Sequence, residues 1–308
     1  MGSWGKPPGE MASFPSLLGT LTALVTPFAD GGDRVDHAAL EALVERQIAG
    51  GVSGLVPCGT TGETPTLTDA EQTDVIRRVV AVAKGRVPVI AGTGTFSTKK
   101  TIEASRRALE AGANGVMVVM PYYSKPTQEG LFQHVVAVAK SVDAPVVLYN
   151  IPGRSSIDLA ADTTERICAA APNVIATKEA TGNVLRCQDL KRRLGDRLTV
   201  LSGDDSLTLA MMAVGAVGVI SVTSNLDPAE VSELTSLALA GKAAEARAKH
   251  FALLPVHDAM FLEANPGPVK AAIAMKKLMS GDVRLPLVPP GEATKAKLAE
   301  VLRRFEGA

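Results

Sequence analysis

Cysteine is scarce in this chain. Three stand in 308 residues, Cys58, Cys168 and Cys187, at spacings that form neither a disulfide framework nor a C-x-x-C metal knuckle. A reducing, cytosolic compartment is the expectation. The four histidines, His37, His134, His250 and His257, fall in helical patterns without an i, i+4 partner, so they read as surface or packing residues and no metal is expected. Net charge is missing too, because 32 Lys+Arg against 32 Asp+Glu gives zero. That removes the electrostatic case for nucleic acid or an anionic membrane as a main partner. No complete Gly-x-Gly-x-x-Gly or Walker pattern occurs, which leaves dinucleotide and ATP chemistry unsupported. Nor does any run approach the roughly 18 apolar residues of a membrane span. The apolar stretch from Leu17 to Val25 follows Lys6, but Glu10, its own threonines and the lack of a small-residue cleavage site make it a first strand behind a loose leader, residues 1–16.

What remains is ordinary globular material, 46% hydrophobic and 21% charged, enough to bury a sizeable core. Short β-branched runs recur, each ending in a polar or glycine-containing loop: Thr20 to Val25, Gly54 to Cys58, Val87 to Ala91, Gly115 to Val119, Pro145 to Asn150, Val174 to Thr177, Thr199 to Ser202 and Gly218 to Val222. Helical patterns such as His37 to Ala49, Ala70 to Ala83, Lys99 to Ala111, Gln128 to Lys140 and Ser206 to Val214 lie between them. Near-continuous apolar strands alternating with helices imply a parallel sheet covered on both faces. Eight such units predict an α/β (β/α)8 TIM barrel rather than an open sheet. The barrel strands and loops are assigned to residues 17–227. Helical patterns around Pro228 to Leu239, Lys242 to Met260, Pro268 to Met279 and Glu292 to Phe305 make 228–308 a closing helix and a C-terminal helical appendage.

In such a barrel the strand C-termini converge on one face. That face collects Gly59-Thr60-Thr61-Gly62-Glu63, Pro121-Tyr122-Tyr123, Tyr149-Asn150-Ile151-Pro152-Gly153-Arg154, Lys178-Glu179 and Ser202-Gly203-Asp204-Asp205. Lys178 ends an apolar strand and points an amine at the barrel mouth. A desolvated amine sheds its proton more readily and can attack a carbonyl to form a Schiff base. The bland alternative is an ion pair with Glu179 or Asp204. Lys125, the rival amine, lies in what reads as an exposed turn. Tyr149 ends the neighbouring strand and could pass protons, with Thr60 and Tyr123 linking it to solvent, although any one tyrosine alone is more often a packing residue. Thr60 and Thr61 offer hydroxyls and backbone N–H groups as a carboxylate cradle. Arg154 presents a forked donor at the rim.

Taken together, Gly59-Thr60-Thr61-Gly62-Glu63, Pro121-Tyr122-Tyr123, Tyr149-Asn150-x-Pro152-x-Arg154, Lys178-Glu179-Ala180-Thr181 and Gly218-Val219-Ile220-Ser221 resemble the dihydrodipicolinate synthase and N-acetylneuraminate lyase family of class I aldolases, in order from about Gly19 to Asn225. The resemblance implies Lys178 as the Schiff-base lysine for pyruvate, Tyr149 as proton relay with Thr60 and Tyr123, Thr61 on the pyruvate carboxylate, and Gly203 and Ile220 as backbone contacts. It implies no bound cofactor beyond the covalent imine. It also implies a homo-oligomer, at least a dimer and in full a tetramer, in which Tyr123 reaches into the neighbouring subunit's site. An arginine at Arg154 is the mark of the synthase branch, so the expected substrates are pyruvate and L-aspartate 4-semialdehyde, condensed on the route to diaminopimelate and lysine. The alternatives are sialic acid or 2-keto-3-deoxy sugar acid cleavage, or a non-catalytic pyruvate-binding paralogue. Lysine-inhibited members carry a histidine pair, an asparagine and a glutamate where this chain has Asp69, Gln72, Phe96 and Lys100. Strong inhibition by lysine is therefore not expected.

Overall fold

The computed structural model describes residues 17–306, so the expected leader, 1–16, lies outside the described residues. Eight parallel strands form one sheet: β1 (Gly19–Ala23), β2 (Gly54–Val56), β3 (Ile90–Gly92), β4 (Gly115–Val119), β5 (Val146–Asn150), β6 (Val174–Glu179), β7 (Thr199–Ser202) and β8 (Gly218–Ser221). Hydrogen bonding runs β2-β1-β8-β7-β6-β5-β4-β3. The two ends then meet, because Leu55 and Val89 form a parallel bridge, Leu55 N–H donates to Pro88 O at 2.9 Å and Gly92 N–H to Pro57 O at 2.9 Å. The result is a nearly closed (β/α)8 barrel, as the alternation of runs predicts. At the β1–β8 seam a Cβ on Gly218 would stand 1.9 Å from Gly19 O, so only glycine lets the first and last strands approach.

The barrel helices are α1 (His37–Ala49), α2 (Asp69–Ala83), α3 (Thr98–Glu110), α4 (Gln128–Lys140), α5 (Ala161–Ala170), α6 (Val184–Leu194), α7 (Thr208–Ala213) and α8 (Pro228–Leu239). Their starts follow capping chemistry. Thr68 and Glu71 make a reciprocal capping box before α2, and Asp36, Ser97 and Thr127 cap α1, α3 and α4. Three further helices follow, α9 (Ala243–Ala259), α10 (Gly267–Met275) and α11 (Glu292–Glu306). Two apolar clusters result. A large one fills the layer between sheet and helices, and a smaller one, including Leu21, Ile90, Met117, Val147, Ala176 and Ile220, fills the barrel. No helix among the described residues is long and apolar enough to cross a membrane.

Two boundaries bear on the site. The sixth strand runs past Thr177 to Glu179, because Lys178 and Glu179 pair with both neighbours, so the lysine is a strand residue rather than the first of a loop. The apolar pattern from Pro268 to Met279 is helical only as far as Met275.

Candidate active site

Strand periodicity decides which side chains enter the barrel. Register places Tyr149 of β5 beside Lys178 of β6, and Lys178 beside Leu201 of β7. These three form a layer two residues above Val147 and Ala176. Lys178 is only 4% exposed, and its Nζ lies 4.4 Å from the centroid of the Tyr149 ring. No carboxylate pairs with it among the described residues. Glu179, on the opposite face of the strand, accepts from Thr181 N–H at 2.8 Å and Asn150 Nδ2 at 3.4 Å, and Asp204 accepts from Ser206 N–H at 3.0 Å. Burial pushes the Glu179 carboxyl up, against the bonds from Thr181. A Cβ on Gly203 would fall 3.1 Å from Lys178 Cγ and 2.6 Å from Ala180 Cβ, so glycine there leaves room for the lysine stem. Ile220 is buried in the same interior cluster. Beyond it, buried Asp205 pins the end of β8, accepting from Ser221 Oγ at 2.5 Å, Val222 N–H at 2.9 Å and Thr223 N–H at 3.2 Å.

The threonine pair is held differently. Thr61 is buried, and its Oγ1 accepts from Asn265 Nδ2 at 3.0 Å, which leaves the threonine hydroxyl hydrogen available to another acceptor. Two residues on, Glu63 adopts left-handed backbone (φ 54°) and is fully enclosed. Its carboxylate accepts from Lys270 Nζ at 2.5 Å and from Arg284 N–H at 3.0 Å, while Lys270 also donates to Asp282 O at 2.7 Å. The Lys270 amine and the Arg284 guanidinium lie 4.1 and 4.4 Å from the Phe28 ring centroid. Burial pushes the Lys270 amine down, and Glu63 pulls it back up. Arg284 grips Glu71 through two bonds of 2.9 and 2.6 Å and holds that carboxyl at about 2. Sequence reasoning missed Asn265, Lys270 and Arg284. The signal for Lys270 was there, as the one charge in the apolar run Gly267–Met275.

A cavity of about 450 Å3 opens at this face. Thr60, Tyr149 and Arg154 line it, joined by Phe96, Lys100 and Tyr122. Tyr122 meets Phe96 edge-on at 5.7 Å, and burial raises its phenol. Lys178 stands against the Tyr149 ring, and Thr61 lies beside Thr60 without reaching the cavity wall. Arg154 is exposed and makes no ion pair among the described residues. Tyr123 is the outlier. It is 93% exposed, at φ 69°, and takes no part in the cavity of its own chain. Lys125 is exposed, as its turn predicts. No group of three or more potential metal ligands occurs among the described residues.

Residues 16–305 match the model of the dihydrodipicolinate synthetase family. The chain is 69% identical over 296 residues to a 4-hydroxy-tetrahydrodipicolinate synthase of Sorangium cellulosum strain So ce56, covering 96% of this chain and 98% of the relative. Among solved structures, the 4-hydroxy-tetrahydrodipicolinate synthase of Methylacidiphilum fumariolicum SolV superposes with a TM-score of 0.93 at 43% identity, over 95% of this chain and 97% of that one. The chloride-inhibited dihydrodipicolinate synthase of Acinetobacter baumannii complexed with pyruvate gives 0.91 at 42% identity, over 94% and 99%.

Proposed function

The chain belongs to the dihydrodipicolinate synthetase family, and from that premise we propose how it works: Lys178 carries pyruvate as an imine, and the derived enamine condenses with L-aspartate 4-semialdehyde to give 4-hydroxy-tetrahydrodipicolinate. The enzyme is a lyase of the class I aldolase type, acting on the route to diaminopimelate and lysine. The observation that carries this reading is the buried Lys178 amine, which faces the Tyr149 ring and has no carboxylate partner among the described residues.

The Lys178 amine adds to the keto carbon of pyruvate and water leaves, giving the imine. Loss of a methyl proton turns the imine into an enamine, whose carbon attacks the aldehyde of the second substrate. The substrate's own amine then displaces Lys178, closing the ring and freeing the enzyme. Tyr149 moves the protons, relayed through Thr60 and Tyr123. Thr61 binds the pyruvate carboxylate with the hydroxyl hydrogen that Asn265 leaves free, and the backbone at Gly203 and Ile220 completes that pocket. Arg154, unpaired on the cavity wall, takes the carboxylate of the semialdehyde. The imine supplies the electron sink, so the reaction calls for no bound cofactor.

Tyr123, exposed and outside its own cavity, serves the site of a neighbouring copy. The working unit is then at least a dimer, and a tetramer of two such dimers is the full assembly. The appendage, 228–308, serves the catalytic face by supplying Asn265 and Lys270. Three buried, unpaired cysteines accord with a cytoplasmic location. A substrate panel tests the reading. Pyruvate with L-aspartate 4-semialdehyde is expected to turn over, and sialic acid or 2-keto-3-deoxy sugar acids are not. The opposite pattern would move the chain to the lyase branch.

A further inference from the structure

Arg154 sits at the apex of a loop whose neck is closed by side chains that the reaction does not use. Asn150, the last residue of β5, accepts at Oδ1 from Leu159 N–H at 3.0 Å, and its Nδ2 donates to Asp158 Oδ1 at 2.9 Å and to Glu179 Oε2 at 3.4 Å. The two ends of the segment are thereby tied together. Arg186, in the first turn of α6, adds a second tie, since it grips both oxygens of Asp158 at 2.8 and 2.7 Å and donates to Leu159 O at 2.7 Å. From α4, Gln128 donates to Asp158 O at 2.7 Å and accepts from Ala160 N–H at 3.1 Å. Between neck and apex the chain makes one helical turn, Pro152–Ser155, and buried Ser155 places its Oγ 2.9 Å from both Ile151 O and Ile157 O. The apex is thus rigidly referred to its neck. Burial draws the Asp158 carboxyl up, but Arg186 and Asn150 outweigh it and hold that carboxyl below its ordinary value.

The neck and the lysine depend on different contacts. β6 is paired along its length to β5 and β7, so Lys178 keeps its place whether or not Arg186 is present. The loop carrying Arg154 has no sheet pairing of its own. A forked guanidinium recognises a carboxylate through two parallel bonds, and a shift of about 1 Å removes that geometry.

We infer that Arg186, acting through Asp158 and Asn150, is a positioning residue that sets where Arg154 meets the carboxylate of the second substrate, and so fixes affinity for a carboxylate-bearing aldehyde without entering imine formation. This rests on the reading of Arg154 given above. Arg186→Met keeps the stem and removes the grip. Its KM for L-aspartate 4-semialdehyde is expected to rise roughly 10- to 100-fold. Borohydride trapping of pyruvate, and the KM for pyruvate, are expected to stay within about twofold, because the lysine is held by the sheet. Arg186→Lys, with one donor for the fork, falls between. Asp158→Asn preserves shape and loses the charge, so it shifts the same KM in the same direction and carries the test if Arg186→Met does not fold. A folded variant with wild-type KM for the semialdehyde, or one that loses trapping and condensation equally, overturns the inference. If instead the wild-type enzyme traps pyruvate but does not condense the pair, or Arg154→Ala leaves that KM unchanged, the reading of Arg154 falls first and takes this inference with it.

Discussion

The two sides of the barrel mouth are built by different means. On one side Tyr149, Lys178 and Gly203 stand on or just beyond adjacent strands, placed by β-register and packed on the barrel interior. On the other, Thr60 and Thr61 ride a loop fixed by polar groups from the far end of the chain, the Asn265 side chain on Thr61 and the Lys270 amine with the Arg284 backbone N–H on Glu63. Lys178, the proposed nucleophile, therefore sits in a frame that many apolar contacts share, whereas the Thr60-Thr61 turn, the proposed carboxylate cradle, depends on a few buried polar bonds. Single substitutions should damage chemistry on the first side while sparing the fold. On the second they should damage the fold and the binding of pyruvate together.

The largest effect belongs to the strand side. Lys178→Arg keeps a charge but cannot lose its proton near neutral pH, so turnover is expected to fall roughly 10^3-fold or more, with the barrel intact by circular dichroism. A variant within tenfold of wild type would break the comparison at its base. Next comes Lys270→Met, which strands the buried Glu63 carboxylate at a cost of about 3–5 kcal/mol. A markedly lower Tm and a raised KM for pyruvate are expected, and Glu63→Gln with Lys270→Met should recover part of the Tm. A double variant no better than the single one would show that the pair does not act as a pair.

Arg154→Ala sharpens the comparison between substrates. An unpaired carboxylate costs about 2–5 kcal/mol, or roughly 30-fold to several thousand-fold in kcat/KM with the semialdehyde, while imine trapping persists. Equal loss of both would make the arginine structural. A smaller effect is acid sensitivity on the loop side. Glu71 is held at about 2, below its ordinary 4.5, so the stability it contributes is complete above pH 4.5 and is lost as pH falls toward 2. With 26% of the side chain exposed, screening trims this to about 1–2 kcal/mol. The fall in Tm over that range is expected to be shallower in Arg284→Met, and an unchanged slope would remove the linkage. Smallest of all is the response to L-lysine. Lys100 on the cavity wall opposes a ligand with two ammonium groups and a net positive charge, and Phe96 offers its carboxylate no donor, so initial rates are expected to stay flat to about 1 mM. Half-inhibition well below that would contradict the reading.

How much the sequence revealed follows the same division. The strand side was legible because period-two alternation and the abrupt end of an apolar run at Lys178 are local patterns, and register does the rest. The Thr60-Thr61 turn was legible as a candidate cradle, but its supports were not. Asn265 and Thr61 are joined by one hydrogen bond across 204 positions, and nothing in the local pattern of either names the other. The only local signal for Lys270 is its charge in an apolar helix, and nothing there names its partner Glu63, at the end of the 59–63 turn. Arg186 and Asp158, 28 positions apart, likewise carry no local pattern that names one to the other. Tyr123 was found from a motif, and unlike the exposed Arg154 it stands outside the cavity of its own chain.

The central claim is that the buried, unpaired amine of Lys178 is the nucleophile. Borohydride reduction in the presence of pyruvate, followed by peptide mapping, tests it directly. A single reduced pyruvyl adduct on Lys178 is the expected result. An adduct on Lys125, or none, would contradict the account.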